Sequence, residues 1–228
     1  DLGDQVMRPL LLAAALAAAT SGVRADEPVA GPALRPEWLV SSDSDGNHSL
    51  RASLGWDVSR LDLEHWWGFR AERLRYAGPG WREVDERLFL RAAGGEGGWR
   101  WQGEVGSDGH DLLGSASVHS TGRWRQEYFL ERDVLETEVG AAQGRVHTFG
   151  GAALDIPLGE RTTATVLAGL QDFGADNLRR HLRATLAWTA LPEAGLSLQL
   201  RARHFRDSDP GEAGYFAPGT YRQWLGVA

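Results

Sequence analysis

Residues 181–189 read His181-Leu182-Arg183-Ala184-Thr185-Leu186-Ala187-Trp188-Thr189. Their composition suits a helix, since leucine, alanine and arginine are strong helix formers. Their order does not. Leu182, Ala184, Leu186 and Trp188 alternate with His181, Arg183, Thr185 and Thr189. A helix buries residues three and four apart, whereas strict alternation sends one set to each face of a strand. The segment predicts a strand with one apolar and one polar face.

The same period of two runs outward from it. Upstream, Leu50, Ala52, Leu54, Trp56 and Val58 alternate with Ser49, Arg51, Ser53, Gly55 and Asp57. Leu61, Leu63, Trp67 and Phe69 alternate with Asp62, Glu64, Trp66 and Arg70. Leu88 and Leu90 oppose Arg87 and Arg91, and Trp99, Trp101 and Val105 oppose Arg100, Gln102 and Glu104. Tyr128 and Leu130 oppose Arg125, Glu127 and Glu131. Downstream, Leu196, Leu198 and Leu200 alternate with Ser197, Gln199, Arg201 and Arg203. Gly- and Pro-rich turn signals separate the runs, among them AGPG at 77–80, GGEGG at 94–98 and LPEAG at 191–195. Strands joined by such short turns are antiparallel.

The polar set carries mixed charge: Arg87, Arg91, Arg100, Glu104, Arg125, Glu127, Arg183, Arg201 and Arg203. Tryptophans and tyrosines recur near run ends, at Trp56, Tyr76, Trp81, Trp99, Trp124, Trp188 and Tyr215, where a bilayer interface favours them. These features predict an all-β fold, an antiparallel up-and-down transmembrane β-barrel of about 12 strands over residues 47–228. The polar face would line its lumen, with Trp66 as a stacking platform for a polar polymer. Cross-strand pairing of the charges explains the same residues without any ligand. The last segment, from Tyr221, alternates less cleanly, and the chain stops at Gly226-Val227-Ala228 without a terminal aromatic residue. The expectation is a barrel truncated at its C-terminus, or one that closes by oligomerisation.

Composition narrows the classes further. The chain has 228 residues, a net charge of −7 and a mean hydropathy of −0.35. No cysteine is present, which removes disulfide scaffolds, thiolate metal sites and cysteine nucleophiles. There is no lysine, and no basic face of the kind that nucleic acids require. Met7-Arg8-Pro9 followed by LLLAAALAAAT and a small-x-small site at Val23-Arg24-Ala25 reads as a signal peptide over 7–25. Residues 1–6 read as a start-site artefact. Residues 26–46, with Pro28, Pro32 and Pro36, read as an irregular lead-in. The expected location is the outer membrane of a Gram-negative cell, with membrane lipid as a partner.

Three stretches carry a family resemblance: residues 112–141, 170–188 and 209–228. Within them stand Glu131, Arg132, Asp133 and Glu136, then Asp176, Asn177 and Arg179, then Gly214, Tyr215, Phe216, Pro218 and Tyr221. The chain resembles the C-terminal barrel of bacterial exopolysaccharide export porins, which export cellulose or poly-N-acetylglucosamine. Those porins carry helical tetratricopeptide repeats before the barrel, and no 34-residue helical repeat is present here. The resemblance implies a porin for passage of a polar polymer, with a polysaccharide substrate and a separate periplasmic scaffold protein as partner.

Catalytic and metal patterns are sparse. His119-Ser120, or His110 near Asp108, could supply a base and nucleophile for a barrel hydrolase acting on lipid or lipopolysaccharide. There is no GxSxG elbow and no HExxH, and His119 and Ser120 fall on opposite faces of a strand. Asp43, Asp45, Gly46 and Asn47 match part of a calcium loop, but position 54 is leucine where a ligating glutamate belongs. The expectation is a protein that is not an enzyme and holds no metal or cofactor. A soluble periplasmic β-protein that binds carbohydrate through tryptophan is the alternative to both membrane readings.

Overall fold

Long alternating segments leave each strand amphipathic, so they must share a sheet to pair their backbone groups. The computed structural model describes residues 30–42, 46–174, 177–211 and 215–227. The signal-peptide and start-site readings fall outside the described residues, as do Asp43, Asp45, Asp176 and Gly214. From the N-terminus the strands are β1 (Ala33–Ser42), β2 (His48–Arg60), β3 (Trp66–Gly78), β4 (Trp81–Glu96), β5 (Trp99–Ser107) and β6 (Leu112–Ser120). They continue as β7 (Gln126–Val134), β8 (Val146–Pro157), β9 (Thr162–Asp172), β10 (Leu178–Leu191), β11 (Leu196–Asp207) and β12 (Tyr221–Val227). All twelve belong to one antiparallel sheet in which each strand pairs with the next in sequence. β1 and β12 do not pair with each other, so the sheet is open between them. The HLRATLAWT segment lies in β10, as its alternation requires, despite its helix-forming residues.

The sheet is strongly curved. Arg51 on β2 reaches Asp133 on β7 at 3.4 Å and Glu136 just beyond it at 2.6 Å. Five strand steps separate β2 from β7, about 24 Å along a flat sheet at roughly 4.8 Å per step. One arginine side chain spans that interval only because the sheet folds towards itself. The face carrying Arg51, Glu72, Arg87 and Asp133 is therefore concave.

Burial follows the faces. Asp57, Glu72, Arg87, Arg179 and His181 are buried on the concave side, with Leu74, Tyr76, Phe89, Leu113 and Phe205. Leu54, Trp56, Phe69, Leu90, Trp101, Leu130, Leu182, Leu186, Trp188 and Leu200 are exposed on the convex side. A water-soluble domain places these classes the other way round.

Two local expectations need correction. The lead-in is not irregular over 33–42, because ALRPEWLVSS forms β1 and pairs with β2 from Ala33↔Asp57 to Ser42↔His48. Pro36 is accommodated because β1 is an edge strand, where a missing N–H can face the unpaired side. Residues 61–65 are a loop between β2 and β3, held by Asp62 Oδ1 accepting from the amides of Glu64 and His65. A short helix, α1 (Glu138–Gln143), follows β7. Thr137 caps it by accepting from the Gly140 amide at 3.1 Å, and Gly144 ends it at φ 58°. Six residues are too few to show a helical stripe in the sequence.

Candidate functional site

The concave face has three zones. The first is an ion-pair network across β2–β7. Arg87, with a side chain 1% exposed, donates to Glu72 (3.2 Å), Asp133 (2.9 Å) and Asp85 (3.2 Å). Arg70 donates to Glu104 on β5 at 2.6 and 3.1 Å, and also pairs with Glu72. Arg51 completes the network through Asp133 and Glu136. Side chains this long and this deeply paired brace the curved wall, since a buried arginine needs several carboxylate acceptors to offset its desolvation.

The second zone is an aromatic knot where β10, β11 and the segment before β12 meet. Arg179 donates to Asp207 at 2.9 Å and to the Phe216 carbonyl. Its guanidinium lies 4.7 Å from the Phe173 ring and 4.5 Å from the Phe205 ring. Asn177 donates to the Tyr215 hydroxyl and accepts from Ser208 Oγ (3.2 Å) and the Asp209 amide (3.0 Å). Phe205 stacks on Tyr221 at 4.7 Å and meets Phe216 edge-on at 6.3 Å. Beside the knot, Gln171 links His147 (3.3 Å) to His181 (3.0 Å) across β8–β10.

The third zone is less packed. A cavity of about 300 Å³ is lined by Trp66, Arg91, Gln102, Glu104, Ser115 and Glu131, among others. The guanidiniums of Arg91 and Arg35 lie 4.5 and 4.7 Å from the Trp66 ring. A second cavity, of about 440 Å³, lies over β9–β12 and contains Arg183, Arg201 and Arg203.

The sequence-derived candidates distribute over these zones. Arg87 and Glu104 belong to the ion-pair network, and Trp66 and Arg91 to the smaller cavity. Arg183, Arg201 and Arg203 share the larger one. Arg100 is near one strand end and pairs with Glu64 of the 61–65 loop. Arg125 lies in the turn before β7, exposed, and pairs with Glu127 at 3.3 Å. The motif residues separate by role. Asp133 and Glu136 are network members, while Asn177, Arg179, Tyr215, Phe216 and Tyr221 build the knot. Arg132 donates to the Leu112 carbonyl (3.0 Å) and to Thr148 (3.1 Å). Glu131 is exposed on the concave face, and Pro218 sits in the segment leading into β12.

Glu72 was missing from the candidates. On β3 the concave residues Glu72, Leu74 and Tyr76 alternate with convex Arg73 and Arg75, so the polarity of the two faces reverses within one strand. Hydropathy alternation fades at that point.

The hydrolase candidates are placed differently. Ser120 Oγ accepts from the Gln126 amide at 2.9 Å and donates to the Trp124 carbonyl at 3.3 Å, on the face opposite His119. His110 is a turn residue whose amide donates to Asp108 Oδ1 at 2.8 Å. Burial pushes the Asp108 carboxyl up, but the amides of Asp111 and His110 outweigh this and hold it below the usual carboxylate range.

No protein-family model, curated protein or solved structure matches the chain.

Proposed function

We propose that the chain is a Gram-negative outer-membrane β-barrel that passes a polar polymer, such as an exopolysaccharide, with its convex face in lipid and its concave face towards the polymer. The observation that carries this reading is the inverted burial: large apolar side chains outside, charged and hydrogen-bonded ones inside. A sequential antiparallel sheet of twelve strands is the topology of such barrels. The convex apolar band also has an edge. Phe69 and Ala71 on β3, with Leu88 and Leu90 on β4, give way to Arg73, Arg75 and Glu86, which suits the boundary between hydrocarbon and headgroups.

Passage rather than chemistry is favoured by the concave face, where polar groups are spread along the wall instead of converging on a nucleophile. The resemblance to exopolysaccharide exporters points the same way, and the hydrolase reading loses support from the turn role of Ser120.

The test is reconstitution. The full chain folded into lipid vesicles is expected to show a heat-dependent shift in gel mobility and to release an entrapped neutral oligosaccharide. Recovery from the soluble periplasm, with no release from vesicles, would overturn the membrane reading. A deletion strain that secretes polymer at the normal rate would overturn export.

A further inference from the structure

We propose that Arg183, Arg201 and Arg203 form a binding site for a carboxylate-bearing sugar, so that the polymer in contact with this chain is acidic. Arg183 and Arg203 are direct cross-strand partners on β10 and β11, and Arg201 stands opposite Thr185, one step along the same face. Like charges placed opposite each other oppose strand pairing. Four residue pairs away along these strands and on the same face, at Arg179↔Asp207, the same problem is solved with a carboxylate. Here no described Asp or Glu forms an ion pair with any of the three. Asp155, on the same row through Thr165, is engaged by the Thr165 hydroxyl at 2.6 Å.

Two of the three arginines are held in place. Arg203 has a buried Nε without a hydrogen-bond partner, and its guanidinium lies 5.0 Å from the Phe205 ring. Gln199 Oε1 accepts from Arg201 Nε (3.0 Å) and Nη2 (2.6 Å), which orients that side chain. The cavity volume of about 440 Å³ suits a small ligand or one segment of a chain. Its other polar groups, on Thr165, Thr185, Gln199 and Gln223, are neutral donors and acceptors of the kind that sugar hydroxyls need. Paired guanidiniums supply fork geometry for a carboxylate, and the hydroxyl and amide groups supply the sugar contacts. The inference rests on the export reading only in naming what the passing polymer carries; the site itself can be tested without a membrane.

The full chain folded in detergent micelles would be titrated calorimetrically with short oligogalacturonate, a cello-oligosaccharide of equal length, and sulfate. Oligogalacturonate is expected to bind at least about tenfold more tightly than either of the others, because each charge-assisted contact contributes on that scale. Arg183→Gln with Arg203→Gln is expected to lose at least about tenfold in affinity. Arg180→Gln, on the convex face of the same strand, is expected to bind as wild type. Should the double variant fail to fold, Arg201→Gln alone carries the test. Equal binding of charged and neutral oligomers, or unchanged binding in a folded variant, would overturn the site. Sulfate binding as tight as oligogalacturonate would overturn its assignment to a sugar. Vesicle release is measured separately. Binding without release would remove the export reading and leave the site standing, and release without binding would do the reverse.

Discussion

His65 and Asp62 show how a single pair sets a local property. His65 Nδ1 lies 3.0 Å from both oxygens of Asp62, and Nε2 lies 3.2 Å from the Gly95 carbonyl. The imidazolium can donate at both nitrogens, so the bond to Asp62, and then the bond to Gly95, hold the His65 pKa above its ordinary value. Asp62 is held below the usual carboxylate range, first by His65 and then by the Glu64 amide. The signs fix a window. The contribution of His65 is complete below its unfolded value of about 6.5 and is lost as pH rises through its raised folded value. That of Asp62 is present above about 3.9 and is lost as pH falls through its lowered value. The 61–65 loop is thus held best at mildly acidic pH. In an NMR titration, Asp62→Asn is expected to bring the His65 transition back towards about 6.5; an unmoved transition would contradict the pairing.

A second residue-scale prediction concerns Arg87. Truncation to alanine leaves Glu72 buried and deprives Asp133 and Asp85 of a partner. Removing one member of a buried charge network costs about 3–5 kcal/mol. The urea midpoint of Arg87→Ala in micelles should fall accordingly. Arg73→Ala, which breaks an exposed pair with Glu86 at 3.6 Å, should leave the midpoint where it is.

At the scale of elements, the β2–β3 pairing carries a bulge. The register steps from Asp57↔Gly68 to Ser59↔Trp67, leaving Val58 without a partner. A bulge increases local twist and bends the strand, which helps β2 curl towards β7. Gly68 is required there, because a Cβ would lie 2.0 Å from the Trp56 carbonyl oxygen. Gly68→Ala is expected to destabilise the folded chain by about 1–3 kcal/mol through forced backbone displacement. Chemical denaturation measures this, with Gly226→Ala as a control, where a Cβ meets nothing within 4 Å.

For the whole molecule, the decisive question is what covers the convex face. Leu186 is exposed there, between Ala164 of β9 and Leu200 of β11. Leu186→Arg should cost about 2–4 kcal/mol when the protein is folded into bilayers, as for a charge facing the hydrocarbon midplane. If water covered that face, the same substitution would be nearly neutral.

Much of this was legible because side-chain direction in a strand follows from position alone. The alternation of 181–189 distinguishes a strand from a helix, and parity puts Arg183 on the polar face of its strand and Arg201 and Arg203 on the polar face of theirs. β1 was readable in the same way, with Leu34, Pro36, Trp38 and Val40 alternating with Arg35, Glu37, Leu39 and Ser41, but Pro36, after Pro28 and Pro32, argued for a loop. Parity is a local property, fixed by backbone geometry. Which charges meet is not local. Arg51 and Glu136 are 85 residues apart and touch only because the sheet curves, while Arg183 and Arg203 face each other through register. Period-two alternation is enough for most of the strands and for the two faces of each, but not for β1 or for the reversal within β3. The tertiary structure alone decided that the charges of β2–β7 are neutralised across the concave side, as is Arg179 by Asp207, while Arg183, Arg201 and Arg203 meet no described carboxylate, because curvature and register set the distances between strands.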